Sequence, residues 1–238
     1  MRKFSPSSTN QFFKCPYQWK LLRIDKVQTE PKVNHKAELG GNIHDIIKEY
    51  YQNIVEKPSE KQIEHIAMSC FNMGFDETLK QYRANAETMM KNFINFEKGR
   101  IRHYIKPIMV EQTLENDLFR GIIDYFDGKN IIDWKTGAMM RLGNDERRQG
   151  KIYNILLNDN GYKGDFKVYF VTLANGRKLE LPLTTRTWLE QEIKKMVGMI
   201  KAERFPKNKS PLCNWCDARM ACEFDGTFLW ENIGVPQI

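Results

Sequence analysis

Residues 121–137, GIIDYFDGKNIIDWKTG, read as two apolar strands around a tight turn, with one aspartate set inside each. Branched and aromatic residues at 122–126 and 131–134 favour strands, and Asp127-Gly128-Lys129-Asn130 supplies the residues of a hairpin turn. If Gly128-Lys129 is a two-residue turn, Asp127 faces Asn130 and Asp124 falls opposite Asp133. If Asp127-Gly128 is the turn, Asp124 faces Ile131 and becomes a diagonal neighbour of Asp133. Side chains alternate with period two, so both registers put the two aspartates on one face, joined by Lys135. Carboxylates this close in apolar positions call for a proton, a counter-charge or a cation. Oxygen ligands of this kind suit Mg²⁺ or Mn²⁺. A carboxylate pair at the surface, with a salt-bridging lysine, is the plainer alternative.

Outward from the hairpin, IMVEQTLEN (108–116) is a strand-like run, and ERRQGKIYNILLNDNG (146–161) is helical, closing at Asn160-Gly161 as a C-cap. DFKVYFVTL and RKLELPL flank Ala174-Asn175-Gly176, a second hairpin signal, and TRTWLEQEIKKMVGMIKAE is a final long helix. Upstream, ELGGNIHDIIKEYYQNIV is amphipathic through Ile43, Ile47, Tyr50 and Ile54, and SPSSTNQFFKCPYQWKLLR predicts a short helix, a break at Pro16 and another helical turn. Residues from 59 to about 104 read as two or more inserted helices without legible chemistry. The predicted order is helix, helical insertion, three strands, helix, two strands, helix: an α/β (α+β) fold in a single domain spanning 1–238.

Three further features bear on chemistry. His44 follows Gly40-Gly41 and suits either a nitrogen ligand or a structural histidine. Gln149 and Tyr153, four residues apart, share a helix face. Cys213, Cys216 and Cys222 form C-x2-C-x5-C in PLCNWCDARMAC. The start, MRKFSPSSTNQFF, lacks the apolar core of a secretory signal, and no run approaches a membrane span, so an intracellular, cytoplasmic setting is expected. There, clustered cysteines suggest a metal site rather than disulfides. Cys15 is the candidate fourth ligand or else a small core residue, and Cys70 reads as core. Spacing leaves zinc and an iron–sulfur cluster both open. A net charge of +7 favours an anionic partner, nucleic acid first.

Taken in order, GGNIHDI, FRGIIDYF, IIDWKTG and QGKIY resemble the motifs of RecB-like nucleases in the PD-(D/E)XK superfamily, over roughly residues 5–222. The resemblance implies the core of that superfamily, a helix, three strands, a helix and a strand. It implies that His44, Asp124 and Asp133 bind Mg²⁺ or Mn²⁺ and that Lys135 activates or positions the attacking water. Gln149 and Tyr153 would support the site or the DNA. Glu111 stands where relatives often carry an acidic residue, in a catalytic or a structural role.

One N-terminal cysteine followed by three C-terminal ones is similar to the iron–sulfur staple of a RecB-like subgroup. That subgroup includes CRISPR-associated exonucleases and the nuclease domains of AddB-type helicase–nucleases. The likeness implies a 4Fe-4S cluster on Cys15, Cys213, Cys216 and Cys222, with zinc as the alternative, closing the segment at about 210–225 onto the segment around Cys15.

Arg120, Arg147, Arg148 and Lys151 flank the site motifs and are expected to contact DNA phosphates. Phe12, Phe13, Tyr17 and Trp19 either stack single-stranded bases or pack a core; packing is the reading adopted. No Gly-x-x-x-x-Gly-Lys-Ser/Thr loop is present, so any helicase would be a separate partner. The expected activity is a metal-dependent deoxyribonuclease, an exonuclease on single strands or strand ends. It would serve recombination, repair, replication or CRISPR adaptation in a prokaryotic or phage-infected cell. It would work alone or with a separate partner, such as an annealing protein, a helicase or an integrase complex. A non-catalytic DNA-binding scaffold and an RNA-processing protein are the alternatives.

Overall fold

The computed structural model describes residues 3–29, 34–139, 141–182 and 186–222. Helices α1 (Pro6–Lys14), α2 (Pro16–Arg23), α3 (His35–Gln52), α4 (Glu60–Gly74) and α5 (Arg83–Arg100) come first. Strands β1 (Met109–Glu115), β2 (Arg120–Phe126) and β3 (Asn130–Lys135) follow, then α6 (Asn144–Asp159), β4 (Lys167–Thr172), β5 (Arg177–Glu180) and α7 (Arg186–Lys201). The order is the mixed α/β one that the sequence predicts. The chain forms two compact units, Met1–Pro6 with Val33–Thr184, and Ser7–Lys32 with Thr185–Ile238.

In the first unit the strands lie in sequence order, β1-β2-β3-β4-β5. β1, β2 and β3 are antiparallel neighbours, whereas β3 and β4 are parallel. A parallel pair needs a crossover, and α6 supplies it. It can lie close to the sheet because Gly150 has no side chain: a Cβ there would stand 2.5 Å from Leu181 Cδ2. The β2–β3 turn is the Gly128-Lys129 one. Gly128 has φ +90°, and Asp127 donates its N–H to Asn130 O at 3.2 Å. Pairing at Tyr125↔Ile132 and Phe126↔Ile131 puts Asp124 opposite Asp133 when the register is continued.

Helices α3, α4 and α5 cover one face of the sheet. Ser59 and Gln62 cap α4 reciprocally, and Asn34 caps α3 by accepting from the Ala37 N–H at 3.2 Å. Ile43, Ile47, Tyr50 and Ile54 are all buried, as their spacing predicts, in a core that also holds Phe71, Phe93, Tyr125 and Trp134. The insertion read as chemically silent carries a buried ion pair. Glu97, fully buried, takes Arg100 Nε at 2.7 Å and Nη2 at 3.0 Å. Arg100 Nη1 also donates to Tyr125 OH at 2.6 Å, which ties α5 to β2.

The second unit brings the segment from Ser7 that carries α1 and α2 together with the C-terminal part of the described chain. Pro16 starts α2, with Cys15 as its N-cap between α1 and α2. Phe12 and Trp19 are buried and meet edge to face, and Trp19 stacks on Phe205, so these aromatics pack as expected. The residues after Phe205 contact the first two helices and one another. Pro206 O accepts the Tyr17 N–H at 3.3 Å, Asn208 Nδ2 donates to Lys14 O at 3.1 Å, and Lys207 Nζ donates to Cys222 O at 2.8 Å. Residues 223–225 of the expected cysteine segment lie outside the described residues. Among the described residues, no helix is long and apolar enough to cross a membrane.

Candidate metal and phosphodiester site

The two aspartates of the hairpin are 7% and 2% exposed, Asp124 and Asp133 respectively, so each needs a compensating partner. Beyond Tyr125↔Ile132 the strands fork. There the Trp134 backbone N–H donates to Asp124 Oδ2 at 2.9 Å. Helix α3 brings His44 to this fork. Its Nδ1 lies 2.7 Å from Glu111 Oε1 and 3.7 Å from Asp124 Oδ2, and its Nε2 lies 3.1 Å from the Trp134 carbonyl. One ligand atom from each of His44, Glu111 and Asp124 falls within 4.8 Å of the others.

Glu111 departs from its strand. Val110 and Gln112 pair with β2, while Glu111 between them, opposite Asp124, has φ +46°. A left-handed conformation costs a side-chain-bearing residue roughly 1–2 kcal/mol. The residue displaced in this way is the one that meets His44.

Asp133 belongs to a second hydrogen-bonded group built from β3 and α6. Its Oδ1 accepts from Gln149 Nε2 at 2.7 Å and from Tyr153 OH at 3.0 Å. Gln149 Nε2 also donates to Tyr153 OH at 2.6 Å, and Gln149 Oε1 accepts from Lys135 Nζ at 3.1 Å. Asp133 Oδ2 lies 2.6 Å from Lys135 Nζ, an ion-pair distance without hydrogen-bond alignment. The motif residues on β2, β3, α3 and α6 thus converge in two linked groups.

The electrostatics follow from burial and crowding. Burial opposes charge on His44, but the Glu111 hydrogen bond and the Asp124, Glu111 and Asp133 carboxylates outweigh it and raise its pKa from 6.5 to about 9. Burial, followed by the Asp133 charge, pushes Asp124 well above the usual carboxylate range. For Lys135 burial works downward, but the neighbouring Asp133 more than offsets it and holds the ammonium charged. An imidazole with several crowded carboxylate oxygens is a hard, mainly oxygen donor set, the kind that holds Mg²⁺ or Mn²⁺. A divalent cation would also relieve the repulsion that drives Asp124 towards its neutral form. The residues fit such an ion.

The PD-(D/E)XK nuclease superfamily model matches residues 3–223. This chain belongs to the PD-(D/E)XK nuclease superfamily. A comparison with curated proteins gives no match. Superfamily members are typically metal-dependent nucleases.

Around this superfamily core the basic residues behave differently from one another. Arg120 and Arg147 are exposed and Lys151 is half-buried. Arg148 is buried, with Nη1 3.2 Å from Asp145 Oδ1. That pair is legible as an i,i+3 spacing of opposite charges.

In the second unit Cys15, Cys213, Cys216 and Cys222 line one cavity of about 270 Å³, together with Lys14, Lys207, Lys209 and Arg219. The Gln18 N–H points to Cys15 Sγ at 3.5 Å and the Ser210 N–H to Cys213 Sγ at 3.4 Å. Burial raises the Cys216 thiol, so its thiolate form needs a nearby cation to stabilise it. Four converging thiols fit a metal centre. Cys70 is buried in the first unit, as expected of a core residue.

Proposed function

We propose that this protein is a RecB-like deoxyribonuclease that hydrolyses phosphodiester bonds at strand ends or in single strands. The observation that carries the reading is the fork. Asp124 and Asp133 face each other at the point where β2 and β3 part, with His44 and Glu111 on one side and Lys135, Gln149 and Tyr153 on the other.

His44, Glu111, Asp124 and Asp133 would hold a divalent ion. Bound there, Mg²⁺ or Mn²⁺ would lower the pKa of a water and polarise the phosphate. Lys135 stays protonated, so it donates to a phosphate oxygen or to the attacking water rather than taking a proton. Gln149 and Tyr153 fix Asp133, and Asp133 with Gln149 fixes the lysine. Hydrolysis forms one bond from the water oxygen to phosphorus and breaks the bond to the leaving sugar oxygen, which gains a proton. Exposed Arg120 and Arg147, with Lys151, would neutralise backbone phosphates.

The four-cysteine cavity supports a structural iron–sulfur cluster. The support is that Cys15 and the three cysteines spaced C-x2-C-x5-C line one cavity, a four-thiolate ligand set. A helicase or a single-strand annealing protein would be its partner where it does not work alone.

The test is cleavage of end-labelled single- and double-stranded DNA with Mg²⁺, Mn²⁺ or EDTA. Metal-dependent cleavage that disappears in Asp133→Ala is expected. A folded, cofactor-loaded protein that cuts neither substrate yet binds both would instead be a DNA-binding scaffold.

A further inference from the structure

Helix α3 carries two adjacent glycines, Gly40 and Gly41, in the turn before His44. Interior helix glycines are unfavourable, and a side chain on a helix leans towards its N-terminus, so the His44 imidazole projects over this turn. Packing accounts for Gly40, whose Cβ would stand 3.1 Å from Thr136 Oγ1. It does not account for Gly41. That position is exposed, and among the described residues no heavy atom would lie within 4 Å of a Cβ there. Gly137, next to Thr136 and two residues past Lys135, is equally open. Bare backbone therefore flanks the site on two sides, at the α3 turn beneath His44 and at the exit of β3.

Openness alone would not single these positions out, because Gly99 in α5 is also open. Their place does: Gly41 lies at i−3 from His44, and Gly137 follows the segment that carries Asp133 and Lys135.

We propose that Gly41 and Gly137 keep clear the space through which the sugar-phosphate backbone of the substrate strand passes His44 and Lys135. The proposal rests on the nuclease reading above. Close approach of a ligand to bare backbone is one of the main uses of glycine. A side chain at either position would occupy substrate volume and leave the divalent-ion donors untouched.

The experiment compares wild type, Gly41→Ala, Gly41→Leu, Gly137→Ala and the control Gly99→Ala. Each is assayed for melting temperature, Mn²⁺ affinity by calorimetry, and affinity for a labelled single-stranded oligonucleotide by anisotropy. Ca²⁺ replaces Mg²⁺ in the DNA measurement, and cleavage is followed separately. Gly41→Ala and Gly99→Ala should both raise the melting temperature, by about 2–4 °C. Only the Gly41 and Gly137 variants should lose DNA affinity, with Gly41→Leu falling about tenfold or more at unchanged Mn²⁺ affinity. A Gly41→Leu protein that binds and cuts DNA like wild type overturns the clearance role and leaves the nuclease reading intact. Wild type that binds Mn²⁺ but neither binds nor cuts DNA overturns both.

Discussion

Trp134 gives its backbone N–H to Asp124 Oδ2 at 2.9 Å, just where the β2–β3 ladder has ended. The carboxylate thereby stands in for a strand, and the fork is held open by a residue that also faces the proposed metal. Asp124 is raised well above the usual carboxylate range by burial and Asp133, so its folded form favours the proton. Its contribution to stability is present below the unfolded pKa and is lost as pH rises, which leaves a liability at neutral pH. Asp124→Asn keeps an acceptor for Trp134 and removes the charge. Without divalent metal it should melt above wild type at pH 7, each kcal/mol being worth about 2–4 °C, while Mn²⁺ binding is lost. A lower melting temperature would contradict this.

Metal affinity should depend steeply on pH. His44, with its pKa raised to about 9, is charged in the metal-free protein at neutral pH and must be neutral to act as a ligand. Its charged form stabilises the metal-free fold fully below pH 6.5, and that stabilisation fades as pH passes about 9. Calorimetric Mn²⁺ affinity should rise about tenfold or more per pH unit between 6.5 and 8.5, with release of at least about one proton. An affinity flat in pH would remove His44 from the ligand set.

Lys135 is the group whose loss should separate chemistry from binding. Lys135→Met leaves the donors His44, Glu111 and Asp124 in place. Cleavage should fall by about 10²–10⁴-fold, with Mn²⁺ affinity retained. A parallel loss of metal binding would mean that the lysine chiefly organises Asp133.

The Glu97–Arg100 pair should be a stability determinant far from the chemistry. Arg100→Met leaves Glu97 buried without its counter-charge, which should cost about 3–5 kcal/mol in urea unfolding. The double variant Glu97→Leu, Arg100→Met should recover most of that. Tyr125→Phe removes one hydroxyl from the same network and should cost about 0.5–1.5 kcal/mol.

For the cysteines, protein prepared without oxygen should contain iron with the visible absorbance of a cluster, and Cys15→Ser should lose both. Thermal stability should drop before any change in Mn²⁺ affinity. Stoichiometric zinc and no iron would assign the cavity to zinc.

The fold was legible where local chemistry decides it. Gly128, Asn160-Gly161 and the apolar period of α3 each fix a turn, an end or a face without distant contacts. The aspartates' shared face followed from alternation alone, although only the turn geometry at Gly128-Lys129 chose between the two registers. Other features depend on tertiary approach. Glu111 meets His44 across 67 residues of sequence, through a backbone conformation at φ +46° that no side-chain pattern announces. Glu97 and Arg100 look like a solvated i,i+3 pair until α5 lies against β2 and excludes water. Arg148 looks like a phosphate ligand beside Gln149, yet its face of α6 turns inward to Asp145.

Cys15 and Cys222 are separated in sequence by residues 33–184, which make up most of the first unit. A growing polypeptide emerges from the ribosome in that order, so the core of the first unit can fold while Cys15 still has no thiol partners in its own unit. Closing so long a segment costs little more than closing one half its length, because loop entropy grows only with the logarithm of length. Timing is therefore the main constraint: the cavity reaches its four-sulfur form only after residue 222 has been translated. A prematurely terminated product would carry every carboxylate of the fork and still lack the means to join its ends.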